Sequence, residues 1–272
     1  MTYMLTRAEA PALAYHHTPA DGADHTGVLF LPGFGSDMDG TKATYLEQAC
    51  IDAGRAYTRM DYRGHGRSEG VFEDGTIGQW RDDVLAVIDA ITTSSKLVLV
   101  GSSMGGWLAM LAALARPARV RGLVGIAAAP DFTADIYDRL NNDQRRILRE
   151  TSRLMPEDDT DMPFVITHEL ISEGASHRLL NSDTRLDPEA ACLVQGMQDR
   201  DVDWTKALQI QQHFETGVGE TVFVREGDHR LSRPGDLEIL ARALDNVCAR
   251  VAGHHAPAPF GRDYAPAYFT GI

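Results

Sequence analysis

Leu97-Val98-Leu99-Val100-Gly101-Ser102-Ser103-Met104-Gly105-Gly106-Trp107 decides how this chain folds. Four apolar residues, two of them β-branched, run into a serine flanked by glycines, and Leu108-Ala109-Met110-Leu111-Ala112-Ala113-Leu114 follows. The pattern reads as a buried strand, a sharp corner and a helix. In that setting G-x-S-x-G is a nucleophile elbow. A serine on a strained strand-to-helix turn crowds the backbone on either side, so Gly101 and Gly105 leave the room it needs. The spacing between those glycines selects Ser103; Ser102 competes by proximity alone. The corner would hold the Ser103 hydroxyl at the positive end of the following helix.

Working outward, short apolar runs alternate with helix-length amphipathic stretches. Gly27-Val28-Leu29-Phe30-Leu31 reads as a strand, Ala43 to Cys50 as a helix and Ala56 to Met60 as a strand. Ile77 to Ile91 is helical, with Trp80, Val84, Val87, Ile88 and Ile91 at helical spacing. Strands follow at Val120–Ile126, Ala191–Val194 and Thr221–Val224, and a last amphipathic helix at Leu237–Val251. The opening residues, with Ala12 to His16, fit an antiparallel edge hairpin. The alternation predicts the α/β class: a mostly parallel central sheet with helices on both faces.

Between Asp131 and about Asp187 the rhythm breaks into polar sequence with short helical patches such as Gln144 to Arg149. We expect a core of residues 1–130 and 188–252, a small inserted cap at 131–187, and a mobile C-terminal tail at 253–272.

The 272 residues suit a single α/β core with an insertion. A formal net charge of -13 argues against nucleic acid or an anionic membrane surface as partner. Cys50, Cys192 and Cys248 have no metal-like spacing and read as reduced residues of an intracellular protein. The first residues lack the apolar core of a signal peptide, and no apolar run approaches a membrane span. A cytoplasmic location is therefore expected. No cofactor is expected, because the Lys-Ser/Thr ending of a phosphate loop is missing after Gly106 and no zinc spacing occurs. Asp37-Met38-Asp39 and Glu157-Asp158-Asp159 read as loop or helix-start charges.

A serine nucleophile needs a histidine base and an acid that orients it, in the chain order Ser, Asp/Glu, His. Asp199 lies first past the strand Ala191–Val194, three residues after Gly196; Asp201 is the runner-up, and Asp203 suits the cap of a helix beginning near Trp204. Of ten histidines, His229 alone follows both a strand and Asp199 in the required order. The oxyanion hole requires two backbone N–H donors, expected at Met104 and at Phe34 in Pro32-Gly33-Phe34-Gly35. Arg63, in Asp61-Tyr62-Arg63-Gly64-His65-Gly66, is expected to tie loops together.

These motifs, with Gly40-Thr41-Lys42-Ala43, Gly196-Met197-Gln198-Asp199 and Asp228-His229-Arg230, resemble the α/β-hydrolase superfamily. Within it they are similar to the branch that holds the mitochondrial palmitoyl-protein thioesterase, also described as an acyl-glucuronide esterase, and its bacterial relatives. The resemblance spans roughly residues 27 to 250 and is weakest in the cap. It implies an α/β-hydrolase fold, with Ser103 as nucleophile, Asp199 as acid and His229 as base. Gln195 departs from the histidine that many hydrolases carry before the glycine, and Asp203 from proline. The activity implied is hydrolysis of carboxylic esters or acyl thioesters, as small-molecule substrates, through an acyl-enzyme. C–C bond hydrolysis, lactonase or peptidase activity with the same triad, and a non-catalytic ligand-binding role, are the alternatives.

Overall fold

The structure, a computed structural model, describes residues 1–21, 26–155, 164–215 and 218–253. In chain order the elements are β1 (Tyr3–Leu5), β2 (Leu13–Thr18), β3 (Thr26–Leu31), α1 (Thr41–Asp52), β4 (Tyr57–Met60), α2 (Ile77–Ala90), β5 (Lys96–Ser102), α3 (Met104–Ala115) and β6 (Val120–Ile126). They continue with α4 (Phe132–Arg139), α5 (Asn142–Thr151), β7 (Arg153–Leu154), β8 (Ile166–Thr167), α6 (His168–Gly174), β9 (Ala190–Gly196), α7 (Thr205–Gln211), β10 (Gly219–Val224) and α8 (Pro234–Val251).

Eight strands form one sheet in the order β1-β2-β4-β3-β5-β6-β9-β10. The β1–β2 and β2–β4 pairs are antiparallel and every other pair is parallel. The expected edge hairpin and the mostly parallel sheet are both present. The central strands read as unbroken apolar runs because both of their faces are covered. Alternate residues serve opposite layers. Leu29, Leu31, Leu97 and Leu99 pack with Trp80 and Val84 of α2 and Leu108 of α3. Val28, Phe30, Val98 and Val100 pack with Leu46 of α1 and Leu240 and Leu244 of α8. A one-residue slip of register would exchange the two sets.

Among the described residues, the stretch from Asp131 to Asp187 adds no strand to the large sheet; β7 and β8 pair only with each other. Leu170, Leu179 and Leu186 bury it against the core, and polar bonds order it internally and tie it to the rest of the chain. The buried Asp131 carboxylate accepts the N–H groups of Leu179 (2.8 Å) and Leu180 (2.9 Å). Glu173 of α6 accepts the Gly78 N–H in the first turn of α2 at 3.1 Å, taking up a donor that has no intrahelical partner. Lys206 of α7 reaches Asp135 of α4 at 2.5 Å. Arg63 meets the fully buried Asp83 carboxylate with both Nε and Nη2, so it ties its loop to helix α2 and not, as expected, loop to loop. The tail expected to be mobile lies outside the described residues from 254 onward, as do Glu157-Asp158-Asp159.

Candidate active site

The carboxyl ends of β5, β9 and β10 bring the site together. Ser103 stands between β5 and α3 with φ 53 and ψ -118, a conformation that L-residues rarely adopt. The surroundings over-determine it. Ser103 N–H donates to the Ile126 carbonyl at 2.9 Å, and the Ser103 carbonyl accepts from Gly106 (2.9 Å) and Ala129 (3.0 Å). A Cβ on Gly105 would lie 2.1 Å from the Leu31 carbonyl oxygen, and one on Gly101 2.2 Å from the Gly105 oxygen. The elbow closes only with glycine at both places.

β9 ends at Gly196, and the loop beyond it turns Asp199 inward; its carboxylate is fully buried. One oxygen, Oδ1, accepts the N–H groups of Asp201 and Val202, each at 2.9 Å. The other, Oδ2, accepts from Gln195 Nε2 (2.9 Å) and faces His229 Nδ1 (2.9 Å). Burial pushes the Asp199 carboxyl up, but the His229 hydrogen bond and charge and the two N–H groups outweigh it and hold it below the usual carboxylate range. His229, in the loop after β10, presents Nε2 to Ser103 Oγ at 3.1 Å. The structure thus joins Ser103, His229 and Asp199 in one hydrogen-bonded line. Asp201 is exposed and gives the line only its backbone N–H. Asp203 Oδ1 accepts from the N–H of Thr205, the first residue of α7, at 2.8 Å, although the N-cap position itself is Trp204, which makes no side-chain cap bond.

Phe34 and Met104 border a cavity of about 380 Å³ that Ser103 and His229 also line. Among the described residues no protein acceptor takes the backbone N–H of either. Phe34 belongs to an aromatic cluster, with ring centroids 4.9 Å from Phe72, 5.5 Å from Phe132 and 5.4 Å from Phe164. Phe132, Ile136 and Phe164, all from the Asp131–Asp187 stretch, give the cavity an apolar wall, and Asp135, Arg139, Arg200 and Asp201 give it polar lining.

Sequence reasoning missed three contributors. Gln195 departs from the pattern in sequence, yet its carboxamide braces the buried acid. His65 has no role by sequence; its Nε2 accepts the N–H of Gly35, next to Phe34, at 3.2 Å. Burial lowers the His65 imidazole to about 4, so it stays neutral and able to accept. Phe164 gave no local signal, because only the tertiary fold brings it to the cavity.

Asp199, Asp201 and His229 also place ligand atoms within 4.8 Å of one another, a spacing a cation could use. Both Asp199 oxygens already accept hydrogen bonds there. Among the described residues no helix is long and apolar enough to cross a membrane. Cys50, Cys192 and Cys248 are buried, and no disulfide joins them.

Comparison with known proteins places these features in context. Residues 23–189 match the family model Hydrolase_4, described as serine aminopeptidase, S33. The chain is similar to the palmitoyl-protein thioesterase ABHD10, mitochondrial, of Mus musculus, with 34% identity over 250 residues, covering 91% of this chain and 82% of that one. The solved structure of mouse α/β-hydrolase domain-containing protein 10 superposes with a TM-score of 0.85 at 32% identity, over 92% of this chain and 99% of that chain. A structure from Agrobacterium vitis S4 gives a TM-score of 0.84 at 33% identity, over 91% and 98% of the two chains.

Proposed function

We propose that this chain, which belongs to the Hydrolase_4 family of α/β-hydrolases, is a serine hydrolase that cleaves carboxylic esters or acyl thioesters through an acyl-enzyme. The observation that carries the reading is the line from Ser103 Oγ to His229 Nε2 (3.1 Å) and from His229 Nδ1 to Asp199 Oδ2 (2.9 Å). In the neutral tautomer that this line calls for, Nδ1–H donates to Asp199 and Nε2 accepts the Ser103 proton. Ser103 Oγ then attacks the acyl carbonyl. The oxyanion forms against the N–H groups of Phe34 and Met104, and His229 protonates the departing alcohol or thiol. Water, activated by the same imidazole, releases the acid. Asp199 keeps the tautomer and stabilises the imidazolium, a role that suits a carboxylate held in its charged form.

The aromatic wall supports an acyl group that is apolar beyond its carbonyl. A mouse relative is named as a palmitoyl-protein thioesterase, which favours the thioester within the same chemistry. We read the Asp131–Asp187 stretch as a cap over the acyl cavity, since Phe132, Ile136 and Phe164 all come from it. For location we propose the cytoplasm, a reducing compartment that suits three buried cysteines joined by no disulfide; the relatives are named mitochondrial.

Side-by-side turnover of an acyl thioester, an oxygen ester, an anilide and a β-diketone by wild type and Ser103→Ala tests the reading. Serine-dependent turnover of thioester or ester, exceeding that of the other two, is expected. Turnover that survives Ser103→Ala, or is greatest on the anilide or diketone, would contradict it.

A further inference from the structure

Gly40-Thr41-Lys42-Ala43 opens α1, and the reaction as derived above does not use it. Lys42 nevertheless reaches the reaction machinery. Its Nζ donates to the backbone carbonyl of Arg230, the residue after His229, at 2.6 Å across 188 residues of chain. That carbonyl also accepts Ser232 Oγ at 2.9 Å.

The loop so gripped is bent and held from several directions. Leu231 has φ 45, and its N–H is taken by Asp228 Oδ1 at 2.9 Å. On the side of β9, the Gly227 carbonyl accepts the Gln198 N–H at 2.8 Å, and the His229 ring meets Asp199. Those contacts tie the imidazole to its acid. The residue after His229 is held separately, by the bond from Lys42 of α1. Lys42 also lines a small cavity of about 70 Å³ together with Gly33 and Ser102, the neighbours of Phe34 and Ser103. One side chain therefore stands between the oxyanion loop, the nucleophile strand and the base loop.

Resting on the hydrolase reading, we propose that Lys42 is a positioning residue, which grips the Arg230 carbonyl and so sets the His229 imidazole against Ser103. The chemistry needs a long cationic donor here. A carbonyl that already accepts one hydroxyl takes a second, charge-assisted bond at short distance, and the stem spans the gap from the helix to the loop. Burial lowers the Lys42 amine to about 8, with the Asp228 charge opposing and the Arg230 charge assisting that shift. The half-buried amine is thus still mostly charged at pH 7, and the Arg230 carbonyl is the partner it finds there.

The test is the second-order rate at which a fluorophosphonate labels Ser103 in the full chain, since that rate reports serine activation without knowledge of the natural substrate. Lys42→Met keeps the stem and removes the donor; it is expected to label about tenfold more slowly, the scale of a misplaced reactive group. Lys42→Arg restores a donor and is expected to recover most of the rate. With a p-nitrophenyl ester the Met variant should lower kcat and leave KM unchanged. Lys42→Leu, which also lacks a donor, repeats the comparison if the Met variant does not fold. Labelling of the donor-free variant at the wild-type rate, or equal losses in the Met and Arg variants, overturns the positioning role and leaves the hydrolase reading intact. Wild type that is not labelled at Ser103 at all overturns the hydrolase reading itself, and the proposal with it.

Discussion

Gln195 Nε2 donates to Asp199 Oδ2 at 2.9 Å, on the same oxygen that faces His229. Gln195 is itself 1% exposed, so neither partner has water as an alternative. A hydrogen bond to a buried charge contributes roughly 1.5–3 kcal/mol. Gln195→Leu should therefore lower kcat/KM by about tenfold or more. Steady-state kinetics on a chromogenic ester checks this, and an unchanged kcat/KM would mean that the backbone donors of Asp201 and Val202 suffice.

The strained conformation of Ser103 predicts a trade of stability against activity. At φ 53 a serine is strained by something on the order of 1–3 kcal/mol, which a glycine largely escapes. Ser103→Gly should unfold at higher denaturant concentration than wild type while losing hydrolysis. Urea titration followed by circular dichroism measures the first and ester turnover the second.

Two glycine substitutions should separate close packing from helix propensity. Gly105→Ala places a methyl 2.1 Å from the Leu31 carbonyl oxygen, whereas Gly235→Ala in the first turn of α8 meets nothing within 4 Å. The first should destabilise by several kcal/mol through backbone displacement. The second should be neutral or stabilise by up to about 1 kcal/mol. Thermal unfolding of the pair gives the comparison.

Acid should loosen the region around His65. Burial lowers this imidazole from the usual 6.5 to about 4, against smaller opposing contributions from the Arg63 carbonyl and Asp83. Below pH 6.5 the unfolded chain takes up a proton that the folded chain refuses, so stability present above pH 6.5 is lost as pH falls toward 4. Unfolding free energies measured across that interval should fall for wild type, with a shallower dependence in His65→Gln.

Acyl selectivity should respond to Phe164. Its ring packs 5.4 Å from Phe34 and borders the cavity beside Ser103. Phe164→Ala enlarges that wall, and turnover across a series of p-nitrophenyl esters should shift toward longer acyl chains. A chain-length profile that does not move would place the acyl group elsewhere.

The features legible in the sequence are those with a short-range cause. The run Leu97–Val100 must be covered on both faces, and Ser103 must sit between glycines, so β5, the corner and α3 fall where periodicity puts them. Asp199 and His229 were readable because each follows a strand in the order that a serine nucleophile needs. Gln195, His65 and Lys42 were not, because their partners lie on other elements. Gln195 looked like a broken pattern until Asp199 folded back over it. His65 acquires its role only when the loop of Gly35 comes within 3.2 Å. Lys42 meets Arg230 across 188 residues of chain, and nothing in Gly40-Thr41-Lys42-Ala43 announces that partner. The Asp131–Asp187 stretch lacks long periodic elements, so the positions of Phe132 and Phe164 are set by tertiary ties such as Asp131 to Leu179 and Glu173 to Gly78.

Rapid acid quench of the full chain mixed with an acyl thioester, followed by mass spectrometry of its peptides, tests the central claim most directly. The account predicts a transient mass increase equal to the acyl group on the peptide that carries Ser103, absent in Ser103→Ala and longer-lived in His229→Ala if acylation still occurs there. Thioester consumed at full rate with no acyl adduct at Ser103, or with an adduct on another residue, would contradict it.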